Sequence, residues 1–434
     1  MSGQGREHRG EAAGDREGAS QRGTSEERTD RGAGLDLRAR SGAPRGSEAG
    51  AVRDARVDDA QWGDGTRSVR AGEDPAVPGA PLRPSPVFAA PFHLGDQLPR
   101  AGGADAYART EQPTLRHFED AVGELDGGRC LSFATGMAAL TAAVLACARS
   151  GDRIALPSDG YYTTRLLAAE ELARFGIEVQ YVPTTEIERV AADGGLAGAR
   201  MVLLETPSNP QLDVCDIAAV ADAAHAAGTL VAVDNTTATP LGQRPLALGA
   251  DLTVGSDTKA LTGHSDVLLG HVTVTDDELY TAVKGFRDRT GSTPGPFEAW
   301  LGHRSMSTLD LRLARQAANA AAVAELLAGH RAVSNLRWPW RPGDPSFALA
   351  ARQMLRPNGV VSAELADEAA VSRLLGASRL WAAATSFGGV HSTIDRRAQW
   401  GGDDVPAGFV RLSCGIEDTA DLVADLAGAL DALG

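Results

Sequence analysis

Short, almost uninterrupted apolar runs, each separated from the next by a helical or turn-forming stretch, constrain this 434-residue chain more than any other feature. Residues 153–157, 177–182, 201–204, 230–233, 252–254 and 267–274 are such runs, dominated by Val, Ile, Leu and Ala. Near-continuous apolarity over four to eight residues marks strands buried on both faces. Residues 164–175 between them read as a helix stopped by Gly176, and Asp216 opens an Ala-rich helix ended by Gly228. Strand, helix and strand in repetition predict a mainly parallel sheet sandwiched by helices, an α/β fold. A long Ala/Leu/Arg helix over 311–330 follows. The pattern then resets to strands, helices and a last amphipathic helix over 422–433, as expected of a smaller C-terminal α/β domain.

The chain opens differently. Residues 1–60 hold no aromatic residue and are dense in Gly, Ser, Arg, Glu and Asp, so they cannot bury enough apolar surface to offset their ordering entropy. They read as a disordered leader. Residues 61–115 read as an extended arm, with the proline-spaced run Pro84-Ser85-Pro86-Val87-Phe88. The main domain is then expected over 116–310 and the C-terminal one over 311–434.

Some function classes are disfavoured at once. A formal charge of −15 opposes non-specific nucleic-acid binding. No apolar run reaches membrane-spanning length and no signal-peptide core follows Met1. The cysteines Cys130, Cys147, Cys215 and Cys414 are scattered, with no CxxC pair or matching His spacing. They read as bystander thiols in a cytoplasmic protein, with no metal site.

In open parallel sheets, ligands bind beyond the carboxyl ends of the strands. Here those ends carry Asp159, Glu205 to Asn209, Asp234 and Ser256 to Lys259. Lys259 and Lys284 are the only lysines in a chain whose Lys and Arg together number 42. Arg cannot form an imine, so Schiff-base chemistry would fall to one of these two. Pyridoxal 5′-phosphate (PLP) needs an amine, an acid at its ring nitrogen, an anion site, a stacking ring and a donor at its phenolic oxygen. Lys259, Asp234, the helix start at Thr135-Gly136-Met137 with the hydroxyls of Ser256 and Thr258, Tyr161 and Asn209 match these needs in turn. Each alone has a plain structural explanation; their shared edge raises the joint reading. No GxGxxG or GxxxxGK[ST] motif supports a nucleotide site instead.

Leu204-Glu205-Thr206-Pro207-Ser208-Asn209-Pro210, Val233-Asp234-Asn235-Thr236, Ser256-Asp257-Thr258-Lys259 and Gly263-His264-Ser265-Asp266-Val267 resemble the signature of the cystathionine γ-lyase/γ-synthase family. Tyr107-Ala108-Arg109 and the segments 294–301 and 411–417 match in kind. The resemblance implies a fold-type I PLP architecture and a homotetramer of catalytic dimers. In such dimers Tyr107 and Arg109 would reach the neighbouring subunit's cofactor phosphate. It also implies Arg411 as a bidentate clamp on the carboxylate of an amino-acid substrate, with Ser386 nearby.

Departures from the family pattern bear on substrate choice. Tyr161-Tyr162-Thr163-Thr164 is bulkier than the usual stretch, and His391 stands where γ-specific members carry Glu, implying an altered distal pocket. Asp257 replaces a small residue and Gln112 replaces an Asn. The resulting expectation is γ-elimination on a sulfur-bearing or otherwise γ-substituted L-amino acid, with Lys259, Asp234 and Tyr161 as catalytic residues. γ-Replacement on an activated homoserine, β-elimination and a scaffold without activity are the alternatives.

Overall fold

The computed structural model describes residues 84–92 and 106–434. The leader 1–60 and most of the expected arm lie outside them.

The first sheet has seven strands: β1 (Arg129–Phe133), β2 (Arg153–Pro157), β3 (Glu178–Val182), β4 (Ala199–Glu205), β5 (Leu230–Asp234), β6 (Leu252–Gly255) and β7 (Gly270–Val274). Their order is β1-β7-β6-β5-β4-β2-β3. The run β6-β5-β4-β2-β3 is parallel, as the continuous apolar segments predict, and β7 is antiparallel to both β6 and β1. The expected strand over 267–274 is therefore shortened. Leu269 instead donates its backbone N–H to the Thr258 hydroxyl (3.1 Å) and accepts from it, which ties residues 267–269 to the loop after β6.

Helices cover this sheet. α1 (Pro113–Asp126), α2 (Gly136–Cys147), α3 (Tyr162–Leu166), α4 (Ile187–Ala192), α5 (Ile217–Ala226), α6 (Asp277–Thr290) and α7 (Pro296–Met306) belong to it. Side chains set their starts: Asp216 accepts from Ala219 N, Thr135 from Ala138 N, and Gln112 from Leu115 N. α3 runs on as a wider π-turn, Leu167–Leu172, so the helix expected over 164–175 is regular only at its start. One core packs α5 on β4 and β5 through Val202, Leu204, Val220, Val231 and Val233. Another packs α1 under α7 through Phe118, Val122, Leu125 and Met306.

The 21-residue α8 (Leu309–Gly329) leads into a second sheet, with α9 (Phe347–Gln353), α10 (Glu368–Ala377) and α11 (Thr419–Asp431). Its strands are β8 (Ser334–Arg337), β9 (Val360–Glu364), β10 (Ala382–Ala383), β11 (Thr393–Arg396) and β12 (Phe409–Ser413), in the order β10-β11-β12-β9-β8. α8, α10 and α11 close a core of Val323, Leu327, Val361, Leu374, Leu412 and Leu426 on it. No described helix is long and apolar enough to cross a membrane.

Candidate active site

Strand register brings the acids together. Glu205 pairs with Asp234, and Asp234 with Val254, so the carboxyl ends of β4, β5 and β6 open side by side. A cavity of about 330 Å³ lies over this edge. Ten of the predicted residues line it: Gly136, Met137, Tyr161, Asn209, Asp234, Ser256, Thr258, Lys259, Ser386 and Arg411. The first eight come from the first sheet and its loops, the last two from the C-terminal segment.

Short hydrogen bonds hold the floor. Asp234 Oδ1 accepts from Thr236 N (3.0 Å) and Oγ1 (2.5 Å), and Thr236 Oγ1 accepts from Ser256 N (2.8 Å). Glu205 spans two candidate cofactor residues, accepting from Tyr161 N and Asn209 N, each at 2.7 Å. Burial raises the pKa of both carboxyls, and Asp234's charge pushes Glu205 further. Asn209 Oδ1 accepts from Arg411, which turns its amide N–H₂ end away as the donor end.

Lys259 Nζ donates to Ser386 Oγ at 2.7 Å. Burial, then Arg411 and Arg397, lowers this amine from 10.5 to about 8, where an appreciable neutral fraction exists near neutral pH. Arg411 Nη2 donates to the carbonyl of the same Ser386 (2.8 Å) and to Asp395 (3.0 Å), while its buried Nε has no partner among the described residues. Ser386 itself has φ +74°, a conformation that non-glycine residues rarely adopt. Gly388 follows at φ +79°, and a Cβ there would lie 2.6 Å from Ala260 N. Only glycine lets the loop pass so close to the residue after Lys259.

Asp257 points the other way, into the protein. Its Oδ1 lies 2.6 Å from His271 Nδ1, and His271 Nε2 lies 3.1 Å from Asp126. Burial opposes the imidazolium, but the two carboxylates outweigh it and push His271 up to about 10. Three predicted residues lie outside the cavity lining. His391 is exposed, and its neighbours bond inward, Val390 N to Gly263 O (2.9 Å) and Ser392 N to Glu417 (2.7 Å). Tyr107 is 48% exposed, and Arg109 donates to Asp288 O. Sequence reasoning gave no role to Glu205, Thr236, Thr385, Phe387, Arg397 or Trp400, which also line the cavity. Glu205 carried a signal in its place directly after an apolar strand, and Thr236 in the stretch Val233-Asp234-Asn235-Thr236.

Residues 92–431 match the family model of the Cys/Met metabolism PLP-dependent enzymes. The chain is 52% identical over 375 residues to the "Putative cystathionine gamma-lyase" of Streptomyces coelicolor, covering 85% of this chain and 94% of that protein. It is 38% identical to a cystathionine gamma-synthase of Mycobacterium tuberculosis, over 85% of this chain and 97% of that one. Among solved structures, a cystathionine gamma synthase from Xanthomonas oryzae in complex with cystathionine superposes with TM-score 0.81 at 34% identity, over 85% of this chain and 98% of that one. This chain belongs to the Cys/Met metabolism PLP-dependent enzymes.

The residues present fit that family's cofactor. A Cβ at Gly136 would fall 2.5 Å from Ser256 Cβ, so glycine is what keeps a cradle of backbone N–H groups open at the start of α2. Lys259 would hold PLP, the half-buried Asp234 would face its ring nitrogen, and Tyr161 and Asn209 would flank the ring. All four free cysteines are buried, and burial raises their pKa values, which keeps these thiols out of the chemistry.

Proposed function

We propose that this enzyme carries out γ-elimination on a sulfur-bearing or otherwise γ-substituted L-amino acid, releasing a 2-oxo acid and ammonia. One observation carries the reading: Lys259 and Arg411 meet on a single residue, the amine on Ser386 Oγ and the guanidinium on Ser386 O. An α-amino acid with its carboxylate on Arg411 then presents its Cα proton to the Lys259 amine. That amine, lowered to about 8, is a competent base near neutral pH. Lys259 and Asp234 would hold PLP by its aldehyde and its ring nitrogen, and the cofactor would supply an electron sink for the charge developed at Cα. Once the substrate's amine has displaced it, the Lys259 amine would take the Cα proton; a proton would then leave Cβ, the γ-substituent would depart with its bonding electron pair, and water would release the 2-oxo acid and ammonia.

Replacement at Cγ shares these steps and differs only in the nucleophile that ends them. The 38% identity to a cystathionine gamma-synthase keeps it as the second reading. Our reading of the assembly is a homotetramer of catalytic dimers in the cytoplasm. Tyr107 and Arg109, exposed beside α6, would serve the partner's cofactor phosphate. The deciding experiment incubates the holoenzyme with β- and γ-substituted amino acids in D₂O and follows oxo acid, ammonia and deuterium. Deuterium at Cβ with γ-substituted substrates supports the assignment. Exchange at Cα alone across the panel refutes it.

A further inference from the structure

Arg411 and Arg397, which line the cavity, belong to an alternating line of charge that runs behind it. Arg411 Nη2 lies 3.0 Å from Asp395, and Arg397 Nη1 lies 2.8 Å from the same oxygen. Arg397 also gives Nε (2.9 Å) and Nη2 (2.6 Å) to Asp403, whose other oxygen lies 3.1 Å from Arg165. Asp395 is further held by Trp400 Nε1 (2.9 Å) and Gln399 (3.2 Å). The side chains of Arg411, Asp395, Arg397 and Asp403 are each 3% exposed or less. The line thus holds three guanidinium groups and two carboxylates, one positive charge in surplus.

A substrate's α-carboxylate on Arg411 consumes that surplus. A second carboxylate, on the substrate's tail, would find Arg397 inside the cavity with its charge already matched by Asp395 and Asp403 and only one N–H left on each of Nη1 and Nη2. Burying it would leave an uncompensated charge. A tail ammonium would meet only carboxylates already engaged. The Tyr162 ring lies 6.0 Å from the Arg397 guanidinium, and Leu268 and Trp400 add further largely apolar surface to the cavity lining. Resting on the amino-acid reading above, we propose that Asp403 determines specificity. By occupying Arg397 it makes the site select γ-substituents without charge, such as short thioethers, against tails that end in a carboxylate.

L-Norleucine and L-2-aminoadipate test this, because they differ only in a methyl or a carboxylate at the last carbon and neither has a γ-leaving group. Calorimetric titration of wild-type holoenzyme should show norleucine binding at least about tenfold tighter. In Asp403→Asn the gap should close by about tenfold through tighter aminoadipate binding, and Asp403→Asn with Arg397→Gln should lose that gain. Equal affinities in the wild type, or an Asp403→Asn loss shared by both probes, overturn the proposal alone. Binding of neither probe overturns the amino-acid reading and this proposal with it. The wild-type comparison needs no variant, so misfolding of Asp403→Asn cannot shield the idea.

Discussion

Placing Lys259 in a half-enclosed cavity beside two arginines should cost the fold measurable stability, and the size of that cost follows from the amine's environment. In the folded protein the ammonium is disfavoured by burial and by Arg411 and Arg397, against the smaller pull of Asp234 and Asp395. The fall from 10.5 to about 8 corresponds to a ceiling of about 3 kcal/mol. The sign follows from proton binding. Below pH 8 the group is charged in both folded and unfolded chains, and the folded state bears the whole penalty. Between about 8 and 10.5 the folded protein binds fewer protons than the unfolded one, so stability is recovered as pH rises. Lys259→Met, which keeps length and removes charge, should therefore stabilise the cofactor-free protein at pH 7 by up to about 3 kcal/mol, with the gap vanishing near pH 10.5. Lys259→Arg keeps a charge across the whole range and should show neither gain nor pH-dependent closure. Urea midpoints of the three cofactor-free proteins, at one protein concentration and a series of pH values, give the comparison. A Met variant no more stable than wild type at pH 7, or a gap that ignores pH, would refute the electrostatic account of this lysine.

Borohydride reduction of the holoenzyme followed by peptide mass spectrometry should find the adduct on Lys259 and none on Lys284. The Lys284 amine is already held by Asp288 (2.7 Å), Glu111 (3.1 Å) and Thr110 O (3.0 Å). His271→Leu should destabilise by about 3–5 kcal/mol, because it strands Asp257 and Asp126 in the interior. Since His271 is raised from 6.5 to about 10, its contribution is complete below pH 6.5 and is lost as pH climbs through 10. Urea midpoints across that window should show the wild-type advantage shrinking. Arg411→Lys replaces a planar fork by a point charge and should raise KM by about 10- to 100-fold in steady-state assays, with a smaller change in kcat.

Much of the first sheet was legible because burial on both faces leaves a direct mark, a continuous apolar run with a polar residue where the strand ends. That mark placed β2, β4, β5 and β6 to within two residues of their observed ends, and with them Asp234 and the lysine loop. It did not reveal β1, whose five residues begin with an exposed Arg129 and gain their place only by antiparallel pairing with β7, 137 to 145 positions downstream. α1 was hidden for a different reason. Its start depends on the Gln112 side chain capping Leu115 N and on Pro113 in the first turn, so the helix opens inside what composition alone marked as arm.

The departures from the family pattern carried information that sequence could flag but not interpret. Asp257 is intelligible only beside His271, a partner fourteen residues on that the β6–β7 pairing folds back against it. Gln112 changes the cap of a helix rather than a cofactor contact. His391 is exposed, while Arg397 and Trp400 line the cavity and Asp403 bonds Arg397 behind it. The link from there to α3 joins Arg165 to Asp403 across 238 positions. No periodicity or spacing rule spans such a distance, because the pairing exists only once the C-terminal sheet has docked over the first. The candidate cofactor residues sit at strand ends and the loops that follow them and are readable one by one. Those proposed to choose the substrate would act by neutralising one another across the fold, so their meaning lies in a balance of charge rather than in a motif.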